Sequence, residues 1–461
     1  MNKFFCTVVL VLLAVAAFGS AAVRAEDCSL QYGLIISLKP SSLGAYNVWD
    51  GDFGTVENTE RFVSGVNAPN RTVVAAGERY AHEEAERELI LVKMDKRGRT
   101  VWHKAAAPEG LQDVVKILPH PKGYLVMANI REAAKVPASI WLGVFDVEGA
   151  PVSETKISDR KFGLQGRDII AGKDDNEFLV AVSVKSGGLE DTVNAAIYRI
   201  DAAGKVQSYN GYAPGLQNDI LDLFKMPDGS YLASGYIHTA EGRKAGWVLM
   251  LNESGSIMWQ SQYARGLMAS LNAGAAFVDD HIIVAGETQP IGGGESAAWV
   301  MALRSGTGNV SWQRYYRGNL GYNVRDVIAY PDGLATVMID GRAPKGDIKA
   351  MPEVRLLTLS PRGTVAASNT YLNGRGANAM QMIQGPNMEH ILIGDSKIYH
   401  RPKQENDVPQ SPLDRFGKER SQGDDENLDE SHYSIDGWIV AGPPNDPYTD
   451  PCKLSYDNVP E

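Results

Sequence analysis

An all-β fold of repeated sheets is what this 461-residue sequence predicts, and three observations lead there. The first is an internal echo: the stretch from Gly246 to Tyr263 (GWVLMLNESGSIMWQSQY) returns from Ala298 to Tyr315 as AWVMALRSGTGNVSWQRY. The second is its period. Weaker copies begin at Leu34, Leu89, Ile140, Ala195 and Val354, and successive starts lie 51 to 55 residues apart. The third is the content of each period, in which four short apolar or alternating runs are separated by Gly, Pro, Asn and Asp. Fixed periods in this range, with several short strands in each, are the signature of a β-propeller or a related array.

The amino-terminal 25 residues read as a signal peptide rather than as fold. Lys3 supplies a positive start, Phe4 to Ala17 is almost wholly apolar, and Ala22-Val-Arg-Ala25 ends in the small-x-small pattern of a cleavage site. The apolar run is too short for a membrane span, and no other stretch qualifies as a transmembrane segment. Cys6 lies inside the leader without a lipobox. Export to a bacterial periplasm is the expectation, with secretion as the alternative. Cys28 and Cys452 then remain near the two ends of the mature chain, and an oxidising compartment favours a disulfide between them. Closing so long a loop is worth roughly 5 kcal/mol in the chain-entropy picture. The net charge of −11 becomes −13 once Lys3 and Arg24 are removed. A surface that acidic argues against nucleic acid or anionic membrane as the main partner.

One unit justifies the strand reading in detail. Asp219 to Met226 precedes a Pro-Asp-Gly turn, Tyr231 to Tyr236 follows, then Trp247 to Asn252, a Ser-Gly turn, and Ile257 to Tyr263. Pro227-Asp-Gly229 and Pro331-Asp-Gly333 hold the same place in two units, where a tight turn favours Pro first. The segment Leu223 to Gly235 resembles the first two strands of a WD-type blade. The whole unit is similar to the tandem propeller repeats of exported bacterial proteins, WD-like or PQQ-like in the broad sense, over about residues 33 to 396. The Trp-Asp and Gly-His pairs of standard WD40 repeats are missing from their usual places.

That resemblance implies an order of strands. It makes the innermost strands Glu60–Val66, Asp113–Leu118, Arg167–Ala171, Asp219–Met226, Asn272–Val278, Arg325–Tyr330 and Asn378–Gln384. Second strands follow from Val73, Tyr124, Phe178, Tyr231, His281, Leu334 and His390. Only six units find third and fourth strands after these, and Gly33–Leu38 with Ala45–Trp49 can supply the missing pair. The expectation is therefore a single propeller of seven four-stranded blades over residues 26–399, the closing blade shared between the N- and C-terminal segments. Residues 400–436 form an acidic, Pro-rich insert, and 437–461 dock back on the propeller. The run Asp436-Gly-Trp-Ile-Val-Ala-Gly442 offers itself as a strand of the closing blade; in that case the N-terminal strands move outward or an eighth, partial blade exists.

Function is less legible. The inner strands open with polar residues, among them Asp113, Arg167, Asp168, Asp219, Asp222, Arg325 and Asp326. They fit either a ligand ring on the axis or bonds that fix one blade to the next. Arg265, Arg317 and Arg375 fall in equivalent loops of three consecutive units. Guanidinium forks suit carboxylate, phosphate or sulfate, and neighbouring glycines let backbone N–H groups approach an anion. Candidate ligand-binding residues are therefore Arg265, Arg317, Arg325, Arg375, Arg167, Asp113 and Asp219. Trp49, Trp102, Trp259 and Trp312 occupy matching fourth strands and read as packing between blades. No Gly-x-Ser-x-Gly elbow, His-Glu-x-x-His pair or P-loop occurs, so no cofactor or metal is implied. These features favour a binding or scaffolding module for an envelope protein partner or an anionic small molecule or glycan. The alternative is a propeller hydrolase or lyase using acidic and Arg residues at the channel mouth.

Overall fold

Short runs rich in Val, Ile, Tyr and Trp, bounded by turn residues, become hairpin-linked strands. The structure is a computed structural model describing residues 35–38, 47–81, 85–174, 176–186, 192–278, 280–290, 292–345, 350–399 and 433–442. Two short strands come first, β1 (Ile35–Ser37) and β2 (Trp49–Phe53). Antiparallel meanders follow. The first comprises β3 (Thr59–Ala68), β4 (Thr72–Tyr80), β5 (Glu88–Met94) and β6 (Thr100–Ala106). The second is β7 (Leu111–His120), β8 (Gly123–Ile130), β9 (Ser139–Phe145) and β10 (Pro151–Ile157). In the third lie β11 (Phe162–Ala171), β12 (Glu177–Ser186), β13 (Val193–Asp201) and β14 (Val206–Tyr212). The fourth has β15 (Gln217–Lys225), β16 (Tyr231–His238), β17 (Lys244–Leu251) and β18 (Ile257–Tyr263). The fifth has β19 (Met268–Ala276), β20 (His281–Gln289), β21 (Ala297–Arg304) and β22 (Val310–Arg317). The sixth holds β23 (Gly321–Ala329), β24 (Ala335–Arg342), β25 (Glu353–Leu359) and β26 (Val365–Tyr371). The last is β27 (Ala377–Gln384), β28 (His390–Tyr399) and β29 (Tyr433–Gly442), completed by β2.

The first strands of these meanders pack side by side around an axis, β3 on β7, β7 on β11 and so on to β27, which returns to β3. This is an all-β propeller. Its sheets are five separate four-stranded ones and one nine-stranded sheet, which corrects the expectation of seven separate sheets. The fourth and fifth meanders share the large sheet because a single parallel bridge, Lys244 to Met268, joins β17 to β19, and β1 adds to the edge of β22.

Closure also departs from expectation. The third place in the closing sheet belongs to β29, not to Gly33–Leu38, and the fourth to Trp49–Phe53 rather than Ala45–Trp49. β29 pairs with β28 along ten residues and buries Trp438, Ile439, Val440 and Ala441, an apolar strand that the shorter N-terminal one cannot match. β1 moves outward to lie parallel to β22. The anticipated insert therefore ends at 432, since Tyr433 to Asp436 already belong to β29, and the propeller needs 433–442 beyond residue 399. The leader, Cys28, Cys452, 400–432 and the chain after Gly442 lie outside the described residues.

Middle strands lie between neighbouring sheets, so both faces are covered and the alternation expected of a half-exposed strand disappears. β9 and β25 are buried along their whole length, whereas the fourth strands β10 and β18 are mostly exposed. Apolar clusters fill the gaps between consecutive meanders. The tryptophans of the fourth strands close them from outside. Trp259 Nε1 donates to the Ser305 carbonyl at 2.6 Å and Trp312 Nε1 to that of Pro361 at 2.8 Å, each in the next meander.

Candidate functional site

Alternating strand directions put two kinds of connection at one end of the barrel: fourth strand to next first strand, and second strand to third. The predicted arginine loops all emerge there. At that end, between the fourth and fifth meanders, a cavity of about 440 Å³ is lined by Arg243, Arg265, Arg317, Tyr315, Thr288 and Ile35, together with Ala264, Gly266 and Pro290. Arg265 lies on the loop from β18 to β19, where Thr288 Oγ1 donates to its carbonyl at 2.6 Å. Its guanidinium sits 5.5 Å from the centre of the Tyr315 ring. Arg317 ends β22, and its buried Nε makes no hydrogen bond. Arg243 comes from the loop joining β16 to β17. None of the three forms an ion pair with a described residue, and among the described residues no carboxylate lines the cavity. Burial pushes the Tyr315 phenol up to about 12 despite the two neighbouring guanidinium groups. Three unpaired forks and an aromatic face make a receptor for an anion.

Arg375 does not join them. It lies over the ring of Tyr433 at 4.8 Å, beside Lys397 on the same ring, in the closing sheet. Equivalent loops thus place two of the three predicted arginines together.

The axis carries a second polar arrangement. Each first strand has a β-bulge at the same register, falling in turn at Val63, Val115, Arg167, Leu221, Asn272, Arg325 and Met380. A bulge turns the following residue toward the next strand. Those residues are Ser64, Lys116, Asp168, Asp222, Ala273, Asp326 and Gln381, and six of them link one meander to its neighbour. Ser64 Oγ accepts from Ile117 N–H at 3.2 Å. Lys116 Nζ donates to Asp168 Oδ1 at 2.6 Å, and Asp168 Oδ2 accepts from Leu223 N–H at 2.8 Å. Asp222 accepts from Gly274 N–H. Asp326 accepts from Met382 N–H at 2.9 Å. Gln381 Oε1 closes the belt, accepting from Gly65 N–H and Ser64 Oγ at 2.8 Å each. Ala273 has nothing to offer.

Opposite the bulge the second strand often carries glycine. A Cβ on Gly235 would lie 2.0 Å from the Asp219 carbonyl oxygen, and one on Gly77 1.8 Å from that of Arg61. The belt borders an axial cavity of about 680 Å³. Burial pushes the Asp326 carboxyl up to about 6 despite two backbone N–H donors. Burial, reinforced by the Asp168 carboxylate, holds Asp222 well above the usual carboxylate range. At Lys116, burial pulls the ammonium down, but Asp168 outweighs it and the net shift is upward.

The other predicted residues sit nearer the mouth and are mostly spent on one another. Arg167 Nε donates to Ser183 Oγ at 2.7 Å and its Nη2 lies 2.8 Å from Asp219 Oδ2. Ser183 Oγ in turn donates to Asp219 Oδ1 at 2.6 Å. Arg325 meets Asp340 at 3.4 Å, and Arg342 reaches the same carboxylate at 3.2 Å. Asp113 accepts from Asn129 Nδ2 at 2.9 Å. Burial raises both Asp113 and Asp219. Sequence reasoning missed Arg243, Lys116 and Gln381. For the last two the signal was present, since the belt positions recur every 51 to 55 residues; Arg243 lies in a loop of variable length that has no such register.

Among the described residues no group of three or more His, Cys, Asp and Glu is placed to hold a metal, and no helix is long and apolar enough to cross a membrane. No protein-family model and no curated sequence matches the chain. Solved propellers do resemble it. Sqt1 of Chaetomium thermophilum, bound to the N-terminus of ribosomal protein L10, is 9% identical, covering 76% of this chain and 98% of its own with a TM-score of 0.44. BBS1N in complex with ARL6DN is 11% identical over 76% of this chain and 93% of its own, TM-score 0.45. The propeller domain of the trilobed protease of Pyrococcus furiosus is 10% identical over 76% and 90%, TM-score 0.40. At this level of similarity none of these proteins lends its function to the chain.

Proposed function

We propose that the chain is an exported binding propeller whose loop end receives an anionic group, carried by a protein partner or a glycan, in the pocket of Arg243, Arg265 and Arg317. Seven blades is the reading of the fold that goes with it. The nine-stranded sheet then counts as two blades, because each half is a complete four-strand meander and one bridge joins them. Export rests on the leader pattern of the first 25 residues and on the terminal cysteines.

The observation that carries the binding role is charge placed against the trend. On a chain of net charge −11, three guanidinium groups share one 440 Å³ cavity with no carboxylate among the described residues of its lining. Leaving them unpaired serves no packing purpose, whereas Arg167, Arg199 and Arg325 all meet acids. Charge-assisted hydrogen bonds are worth about 1.5–3 kcal/mol each. Two good forks at roughly 2 kcal/mol each give a small anion a Kd of about 1 mM, the rest of a partner's affinity coming from the surrounding loops.

Calorimetric titration of the full chain with citrate and with inorganic phosphate tests this. We expect affinity of about that size, weakening as salt rises, and loss of at least about tenfold in Arg265→Ala/Arg317→Ala with the melting temperature kept. Equal affinity in the double variant would overturn the assignment.

A further inference from the structure

The interrupted belt around the axis has a property that the arginine pocket does not explain. Three carboxylates, Asp168, Asp222 and Asp326, face the axial cavity at the belt, and Lys116 alone stands among them as a cation. The other cations lining that cavity are engaged elsewhere: Arg167 with Asp219, Arg325 with Asp340, and Lys225 Nζ with the Gly172 carbonyl at 2.5 Å. Asp168 has both oxygens served, by Lys116 and by Leu223 N–H. Asp326 has Val327 and Met382 N–H. Asp222 differs from both. Its Oδ2 is fully buried and accepts no hydrogen bond. The place beside it in the belt is Ala273, the one position of the seven that extends no polar group.

We propose that the axial channel is a second binding site, for a small molecule bearing a primary ammonium, which lodges against Asn272 and Gly274, the cavity-lining neighbours of Ala273, between Asp222 and Asp326. The chain contains its own precedent. Lys116 sits at the belt position of the second meander and places an ammonium on the belt carboxylate of the third. By the same repeat, an ammonium at the position of Ala273 faces Asp326 ahead of it and Asp222 behind. A primary ammonium brings three N–H donors, so it satisfies the orphan oxygen and offsets one of the unmatched charges at once. The space of about 680 Å³ lies within the range of small-molecule sites.

The test uses the full chain at pH 7.5 with putrescine as probe, and with tetramethylammonium and sodium chloride at matched ionic strength as controls. Putrescine is expected to bind by calorimetry and raise the melting temperature, while tetramethylammonium, which has no N–H to give, does neither. Asp222→Asn should weaken putrescine about tenfold. Ala273→Lys supplies the ammonium from the chain itself, and should abolish putrescine binding with a melting temperature no lower than wild type. Arg265→Ala/Arg317→Ala should leave putrescine untouched, which separates this site from the anion pocket. Absence of binding to the wild type, equal binding of tetramethylammonium, or undiminished binding in Ala273→Lys would each overturn the proposal.

Discussion

Raising the pH through the carboxylate range should cost this propeller stability, because its axial carboxyls are easier to protonate in the folded chain than in the unfolded one. Burial moves Asp326 from the usual 3.8 to about 6. A group raised in this way contributes stability that is complete below 3.8 and lost as the pH rises through 6. At 1.36 kcal/mol per unit the loss from Asp326 has a ceiling of about 3 kcal/mol. Its carboxyl borders a cavity that admits water, so roughly half of that is a fair figure. Asp222 shifts in the same direction for the same cause, burial, with Asp168 adding repulsion. Lys116, raised above 10.5, keeps its contribution throughout this window and loses it only in strong alkali. The lowered carboxyls, Asp95, Asp159, Asp228 and Glu253, are at the surface, where the opposite trend is weak. Unfolding entropy of about 2.1 cal/mol/K per residue, over roughly 350 residues, is about 0.7 kcal/mol/K. About one unit of the Asp326 shift lies above pH 5, so Asp326 loses about 1 kcal/mol between pH 5 and pH 7.5. With Asp222 adding in the same direction, the melting temperature falls by roughly 1–3 °C. Scanning calorimetry at constant ionic strength reads it directly. Asp222→Asn, which keeps an acceptor for Gly274 N–H, should melt higher than wild type at pH 7.5 and show a flatter pH dependence. A wild-type melting temperature that rises from pH 5 to 7.5, or a variant with the wild-type slope, would refute the reasoning.

Other perturbations reach the belt and the packing between meanders. Gln381→Ala removes the acceptor of Gly65 N–H and Ser64 Oγ and should cost about 1–3 kcal/mol in urea unfolding, with Gln381→Glu recovering most of it. In Gly235→Ala the new methyl meets the Asp219 carbonyl at 2.0 Å, so a loss of at least about 3 kcal/mol is expected by the same assay. Trp312→Ala gives up the bond to the Pro361 carbonyl and the contact with Gly363. Its cost should be about 3 kcal/mol in denaturant unfolding.

The first and second strands were legible because their pattern is local and recurs in every unit. Glu60–Val66 reads as the strand that runs Thr59–Ala68, and Asn378–Gln384 as the one that runs Ala377–Gln384. Closure was not legible in the same way. Both Gly33–Leu38 and Asp436–Gly442 read as strands, and the choice between them is made by pairing with β28 far along the chain. The matching tryptophans behaved as packing for a reason visible beforehand, that they return with the repeat. The arginine loops show the limit of that logic. Arg265 and Arg317 share a pocket, but Arg375 is claimed by Tyr433, a residue brought in by β29. Asp168, Asp222 and Asp326 stand out in the sequence, and bonding one blade to the next is one of the two roles they fit. Lys116 and Gln381 do not stand out, because a bulge shifts the alternation by one. The side chain that meets the next meander is therefore Asp222 or Gln381, and not the residue that regular alternation selects.

Crystals of the full chain soaked in selenate, with anomalous differences collected at the selenium edge, test the central claim most directly, since selenate carries the charge and the oxygens that the arginine forks would grip. The account predicts a leading selenium peak among Arg243, Arg265 and Arg317, absent from Arg265→Ala/Arg317→Ala crystals treated alike. Selenate bound elsewhere on the loop end with that pocket empty would contradict it.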